Sequence, residues 1–93
     1  MVTAIVLLKI ERTRINEVAE ELAAMEGISE VYSVSGEVDV VAMVRVRTND
    51  DLATLITSRL VAVNGILETR TMLAFRTLSR HDLEAMFSIG MEG

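Results

Sequence analysis

The apolar positions of this chain recur first at every second residue and then at helical spacing, and this switch of period predicts alternating strands and helices. Residues 2–10 are β-branched and aliphatic and read as a strand. Next, Ile15, Val18, Leu22 and Met25 return on one helical face, with Thr13 as the expected cap and Glu17, Glu20 and Glu21 on the opposite side. Gly27 stands where helices commonly end in a left-handed residue. Residues 28–34 read as a second strand, Ser35-Gly36-Glu37 as a tight turn and residues 38–46 as a third strand. Asn49 with Asp50 and Asp51 predicts a helix start, since acidic groups favour the positive end of a helix dipole. Leu52, Leu55, Ile56, Leu60 and Val63 form that helix's apolar face, and Gly65 closes it. Residues 66–75 are a fourth strand, after which Ser79 caps a short tail helix carrying Leu83, Met86 and Phe87. One domain is expected over residues 1–78, with 79–93 as its tail helix.

The order is strand-helix-strand, twice. Aligned on itself with an offset of 38 residues, the chain matches Val2 with Val40, Ala4 with Ala42, Val6 with Val44, Leu22 with Leu60 and Gly27 with Gly65. Two such units side by side predict an α+β, ferredoxin-like βαββαβ fold, with a four-stranded antiparallel sheet and both helices on one face. Strand alternation describes the other face. Ala4, Val6, Leu8 and Ile10 point one way, but Ile5 and Leu7, with Val41 and Met43 of the third strand, point the other. A solvated face would alternate to polar residues, and this one does not. Two sheets packed face to face in a homodimer would cover it, as in dimeric α+β barrels; the alternative is the tail helix folding back over it.

Composition narrows the class. The chain has 93 residues, 51% of them hydrophobic, no Cys, no Pro, no Trp and a formal charge of −5. A domain of this length buries only about 60–65% of its unfolded surface, so a lone monomer would be marginally stable. Without cysteine there is no disulfide, thiolate metal site or cysteine nucleophile, which agrees with a cytoplasmic setting. Apolar runs such as 4–8 and 40–44 are far shorter than the ~20 residues that span a bilayer. The acidic balance offers no broad footprint for nucleic acid, and the central strands carry no aromatic on which a base could stack.

Catalytic material is sparse. His81, between Arg80 and Asp82, reads as an exposed residue at a helix start, and no nucleophile elbow, Walker loop or dinucleotide fingerprint is present. Asp50 and Asp51 are accounted for by the helix dipole rather than by a metal. No cofactor is expected, and the chain reads as a non-enzyme. The hairpin Ser35-Gly36-Glu37-Val38-Asp39 is more suggestive, together with its expected neighbour Glu68-Thr69-Arg70-Thr71. Gly36 frees amide N–H groups that can hold an anion. Glu37 and Asp39 suit an ammonium, and Thr69 and Thr71 add hydroxyls from one strand face. Such a loop complements a zwitterion, although any hairpin favours Gly and any strand favours Thr.

These residues also carry a resemblance. The stretch from Val34-Ser35-Gly36-Glu37-Val38-Asp39 to Val44 resembles the Gly-x-x-Asp hairpin of the Lrp/AsnC effector domain, and Val63-Asn64-Gly65-Ile66-Leu67-Glu68-Thr69-Arg70-Thr71 resembles its last strand, where a Gly-Val/Ile turn precedes Thr-x-Thr. The likeness runs from Val2 to about Leu78. It implies a regulation-of-amino-acid-metabolism (RAM) domain, whose sheets pair face to face in dimers that associate into rings, typically octamers, as a tetramer of dimers. Amino acids or related effectors then bind in clefts between dimers. By the same resemblance Ser35, Gly36, Glu37 and Val38 would surround the ligand backbone, Asp39 would position the loop or meet the ammonium, and Thr69 and Thr71 would contribute hydroxyls. Val38 departs from the aromatic common before the family's Asp, so side-chain selectivity does not carry over. Lacking a helix-turn-helix, the chain resembles stand-alone effector domains that act through a DNA-binding homologue.

Three other readings are open from the residues. ACT-type regulatory domains share the strand order but place their ligand-binding Gly after the first strand, where this chain has Glu11-Arg12-Thr13-Arg14. A small cofactor-free monooxygenase of the dimeric α+β barrel type would need polar groups in an enclosed cavity, with His81 the natural participant. The third is an oligomerisation module whose cleft stays empty.

Overall fold

The computed structural model describes residues 1–78 and 80. Its elements are β1 (Val2–Ile10), a 3-10 turn (Arg12–Arg14), α1 (Ile15–Ala23), β2 (Ile28–Ser33), β3 (Val40–Val46), α2 (Asn49–Thr54) running into a π-helical stretch (Leu55–Leu60), and β4 (Ile66–Leu73). All pairings are antiparallel and the sheet order is β2-β3-β1-β4. The two halves therefore put their first strands in the centre and their second strands at the edges, which is the expected ferredoxin-like βαββαβ arrangement. The expected tail helix, with Ser79, His81, Leu83, Met86 and Phe87, lies outside the described residues.

One face of the sheet makes the core. Ala4, Val6 and Leu8 of β1 and Val40, Ala42 and Val44 of β3 are fully buried in one core with Val18 and Leu22 of α1, Leu55 and Leu60 of the second helical segment, and Val63 in the turn beyond it. The helices thus cover the same sheet face, as the two-residue period predicts. Leu55 and Leu60 are five residues apart and both buried, the spacing that a π-helical turn aligns.

Several element ends differ from expectation. Thr13 sits within the 3-10 turn, its hydroxyl 3.5 Å from Glu11 Oε1, and α1 starts after Arg14 without a side-chain cap. At α2 the cap is Thr48, whose Oγ1 accepts from Asp51 N–H at 3.1 Å, so Asn49 is already helical. β2 stops at Ser33 and β3 starts at Val40, leaving a longer loop where a three-residue turn was expected; β4 ends at Leu73 rather than residue 75.

Gly65 illustrates a backbone requirement. Its φ is +102°, and a Cβ there would lie 3.0 Å from Arg14 Nε, 3.1 Å from Cδ and 3.3 Å from Cβ. The Gly65 carbonyl also accepts from Glu11 N–H at 2.8 Å, tying the entrance of β4 to the exit of β1. Gly65→Ala should cost about 1–3 kcal/mol through strained backbone, seen as a lower urea midpoint with an unchanged slope.

Candidate functional site

Asp39 holds the hairpin to the sheet. The last backbone pair of β1 with β3 is Leu8 with Val40. Beyond it, Asp39 N–H donates to the Leu8 carbonyl at 2.9 Å, and its carboxylate Oδ2 accepts from Ile10 N–H at 2.9 Å. The side chain continues the ladder where β3 has run out. Its carbonyl also accepts from Val34 N–H at 3.0 Å, closing the loop at its base. At the exposed tip Gly36 has φ +131°, and nothing lies within 4 Å of where a Cβ would be.

The hairpin overhangs the open sheet face. Register places Leu7 beside Arg70 and Lys9 beside Glu68, on the face opposite the buried Val6 and Leu8. With Glu37 and Val38 these residues line an open groove of about 440 Å³. Glu68 lies between two cations, 3.9 Å from Lys9 Nζ and 3.9 Å from Arg70 Nε. Both pairs are long and half-exposed and contribute little to stability. The groove therefore offers carboxylates from Glu37 and Glu68 and loosely held cations from Lys9 and Arg70, over an apolar floor of Leu7 and Val38.

The expected site residues divide among three places. Glu37 and Val38 line the groove, Ser35 and Gly36 form the exposed tip, and Asp39 lies beneath as the anchor. Thr69 and Thr71 pair with Leu8 and Val6, so they occupy the helix-side face of β4, away from the groove. Thr69 borders a separate recess with Ile56, Leu60, Val61 and Ile66. Within one chain the hairpin meets Glu68 and Arg70 rather than the threonines. Alternation separates these two pairs of residues, but only the pairing register says which pair shares the hairpin's face.

The rest of the open face is largely apolar. Across the sheet run two rows, Tyr32-Val41-Leu7-Arg70 and Glu30-Met43-Ile5-Met72. Tyr32 and Met72 are 47% and 48% exposed at the edges. The Tyr32 hydroxyl donates to the Glu30 carboxylate, a hydrogen bond that only the protonated phenol can give, and this raises the Tyr32 pKa. Among the described residues no group of three His, Asp or Glu side chains is placed to hold a metal ion, and no helix is long and apolar enough to cross a membrane.

This combination describes a small α+β module with a helix-covered core, an apolar sheet face that none of the described elements covers, and a mixed-charge groove beside its hairpin. Residues 3–83 match the Lrp/AsnC ligand binding domain, and the chain belongs to that family. It is similar to TTHA0845 from Thermus thermophilus, at 36% identity and a TM-score of 0.80 over 86% of this chain and 100% of that one. It is also similar to PHS023 from Pyrococcus horikoshii, at 37% identity and a TM-score of 0.77 over 87% of this chain and 95% of that one. Among curated relatives, the HTH-type transcriptional regulator PF0250 of Pyrococcus furiosus is 34% identical over 62 residues, which is 67% of this chain and 41% of the regulator. The chain thus spans under half the length of the curated regulators it matches. The curated relatives it matches are HTH-type transcriptional regulators, and the matching part of the family is its ligand binding domain.

Proposed function

We propose that this chain is a non-enzymatic sensing module that binds an amino acid or a related small zwitterion. Its open sheet face pairs with a second copy, and the dimers assemble further as a tetramer of dimers. In the cytoplasm it modulates a helix-turn-helix-bearing homologue through mixed assemblies, without contacting nucleic acid itself. The observation that carries this reading is the groove of Leu7, Lys9, Glu37, Val38, Glu68 and Arg70, which presents both charges of a zwitterion's complement beside an apolar floor. Family membership supports it. Across a subunit cleft, Thr69 and Thr71 of one chain can join the hairpin tip, Ser35 and Gly36, of another.

Regulation then follows from differential affinity. A ligand shifts an assembly only by the difference in its binding free energy between the two states. Here the groove lies beside the face that the dimer would cover, so occupancy and subunit packing share Leu7 and Arg70. The ligand's carboxylate competes with Glu68 for Lys9 and Arg70, and its ammonium is met by Glu37.

Thermal unfolding in the presence of each standard amino acid tests this. At least one is expected to raise the midpoint of the wild-type chain, and Gly36→Trp is expected to remove that rise. If the midpoint stays the same with all of them, amino-acid sensing is overturned.

A further inference from the structure

At the other end of β3, roughly 20 Å from the hairpin, three arginines line a second groove. It holds about 270 Å³ and is lined by Arg45, Arg47 and Arg59 together with Gly27, Val46, Glu26 and Asp51. Two backbone ties set its walls. Arg45 N–H donates to the Gly27 carbonyl at 2.8 Å, joining β3 to the turn after α1. Arg59 Nη1 donates to the Glu26 carbonyl at 3.4 Å, bridging the π-helical stretch to that same turn. Thr54 and Arg59 are five residues apart and line one groove, as Leu55 and Leu60 share the buried side, so the π-helical register directs Arg59 here.

Charge pairing singles this cluster out. The chain has 14 acidic residues to 9 Lys and Arg. Lys9, Arg14 and Arg70 each have a carboxylate within ion-pair distance. Among the described residues, no ion pair is formed by Arg45, Arg47 or Arg59, although Glu26 and Asp51 line the same groove. Three arginines against two carboxylates leave the groove one net positive charge, and none of the three is held in an ion pair, so it is receptive to an external anion.

The geometry selects among anions. Each guanidinium is a planar fork suited to two oxygens of one acceptor. A single carboxylate is flat and satisfies one fork well. A tetrahedral phosphoryl group presents oxygens in several directions and accepts from forks on different walls. Glu26 and Asp51 in the same lining repel a long run of negative charge more than a single compact anion. We propose that this groove binds a compact phosphoryl dianion, either free phosphate or the phosphate of a small metabolite, at a site separate from the hairpin groove.

Calorimetric titration of the full chain with inorganic phosphate at constant ionic strength tests the proposal, with acetate as the flat monoanion and glycerol phosphate as the esterified form. Phosphate should bind saturably and acetate should not displace it. Glycerol phosphate binding more tightly than phosphate would identify the metabolite source, and the reverse order the free ion; both support the site. Arg47→Ala and Arg59→Ala should each weaken phosphate by at least about tenfold, the loss of one charge-assisted contact. Arg12→Ala, an exposed arginine in the 3-10 turn, should leave it unchanged. No saturable phosphate heat, equal binding of acetate, or equal weakening by Arg12→Ala would overturn the proposal. The wild-type comparison of anions requires no variant to fold.

Discussion

Leu8→Ala is expected to remove about 3–4 kcal/mol of stability, well over half of the ~5 kcal/mol at the lower end of the usual range for a domain. Leu8 is fully buried at the centre of the sheet, with Val40 and Thr69 as its neighbours across the flanking strands. Paired on both sides, β1 is held against moving inward to fill the space that the lost methyl groups leave. The cavity therefore persists, and its cost adds to the lost transfer energy. The Leu8 carbonyl also accepts from Asp39 N–H, so loosening this strand slackens the hairpin anchor as well. Urea unfolding should show the loss as a lower midpoint at every protein concentration. Leu7, the next residue, points to the open face. Loss from Leu7→Ala should appear mainly as greater dependence of the midpoint on protein concentration, because on the proposed face-to-face pairing what it removes is contact with a second copy. Equal, concentration-independent losses at the two positions would contradict this division of β1 into a core side and an assembly side.

The same alternation shows how far the fold was legible. Ala4, Val6, Leu8 and Ile10 follow the two-residue period, and all four are buried. Gly27 and Gly65, matched by the internal repeat, both have positive φ, but they lie in the turns beyond their helical segments, which end at Ala23 and Leu60, instead of capping them directly. Less legible were the places where a side chain replaces a backbone partner. Thr48 rather than Asn49 caps α2, because either residue type can cap and only the backbone angles decide where the helix starts. The hairpin is longer than its Ser-Gly-Glu core implies because the Asp39 carboxylate supplies a rung that continued strand would have supplied. Leu55 and Leu60 fit an α-helical stripe closely enough that packing alone reveals the π-helical register. In the site, period two separates Glu68 and Arg70 from Thr69 and Thr71, but the choice between the pairs depends on long-range pairing that no local pattern contains. The arginine groove is of the same kind, since Arg45, Arg47 and Arg59 meet only after the helical segment folds back beside the end of β3.

Met43→Glu is expected to convert the chain from a dimer, or a multiple of one, into a folded monomer. Met43 stands in the row Glu30-Met43-Ile5-Met72, beside Val41 and Leu7 of the adjoining row, so it lies near the middle of the open apolar face. A face-to-face pair places the same patch on both protomers, so a single substitution enters the interface twice. Two carboxylates without partners would then lose water inside an apolar contact, at a cost of several kcal/mol. In the separated chain the new side chain stays in water, and the helix-side core of Val6, Leu8, Leu22 and Val44 is untouched. Sedimentation equilibrium at micromolar concentration should therefore give a multiple of the protomer mass for wild type and the protomer mass for Met43→Glu, with the same circular dichroism. Ala53→Glu, exposed on α2 on the far side of the molecule, should keep the wild-type mass. If Met43→Glu also keeps it, the copies meet elsewhere. If wild type itself sediments as a single protomer, the surplus of aliphatic residues on this face has some occupant other than a second copy.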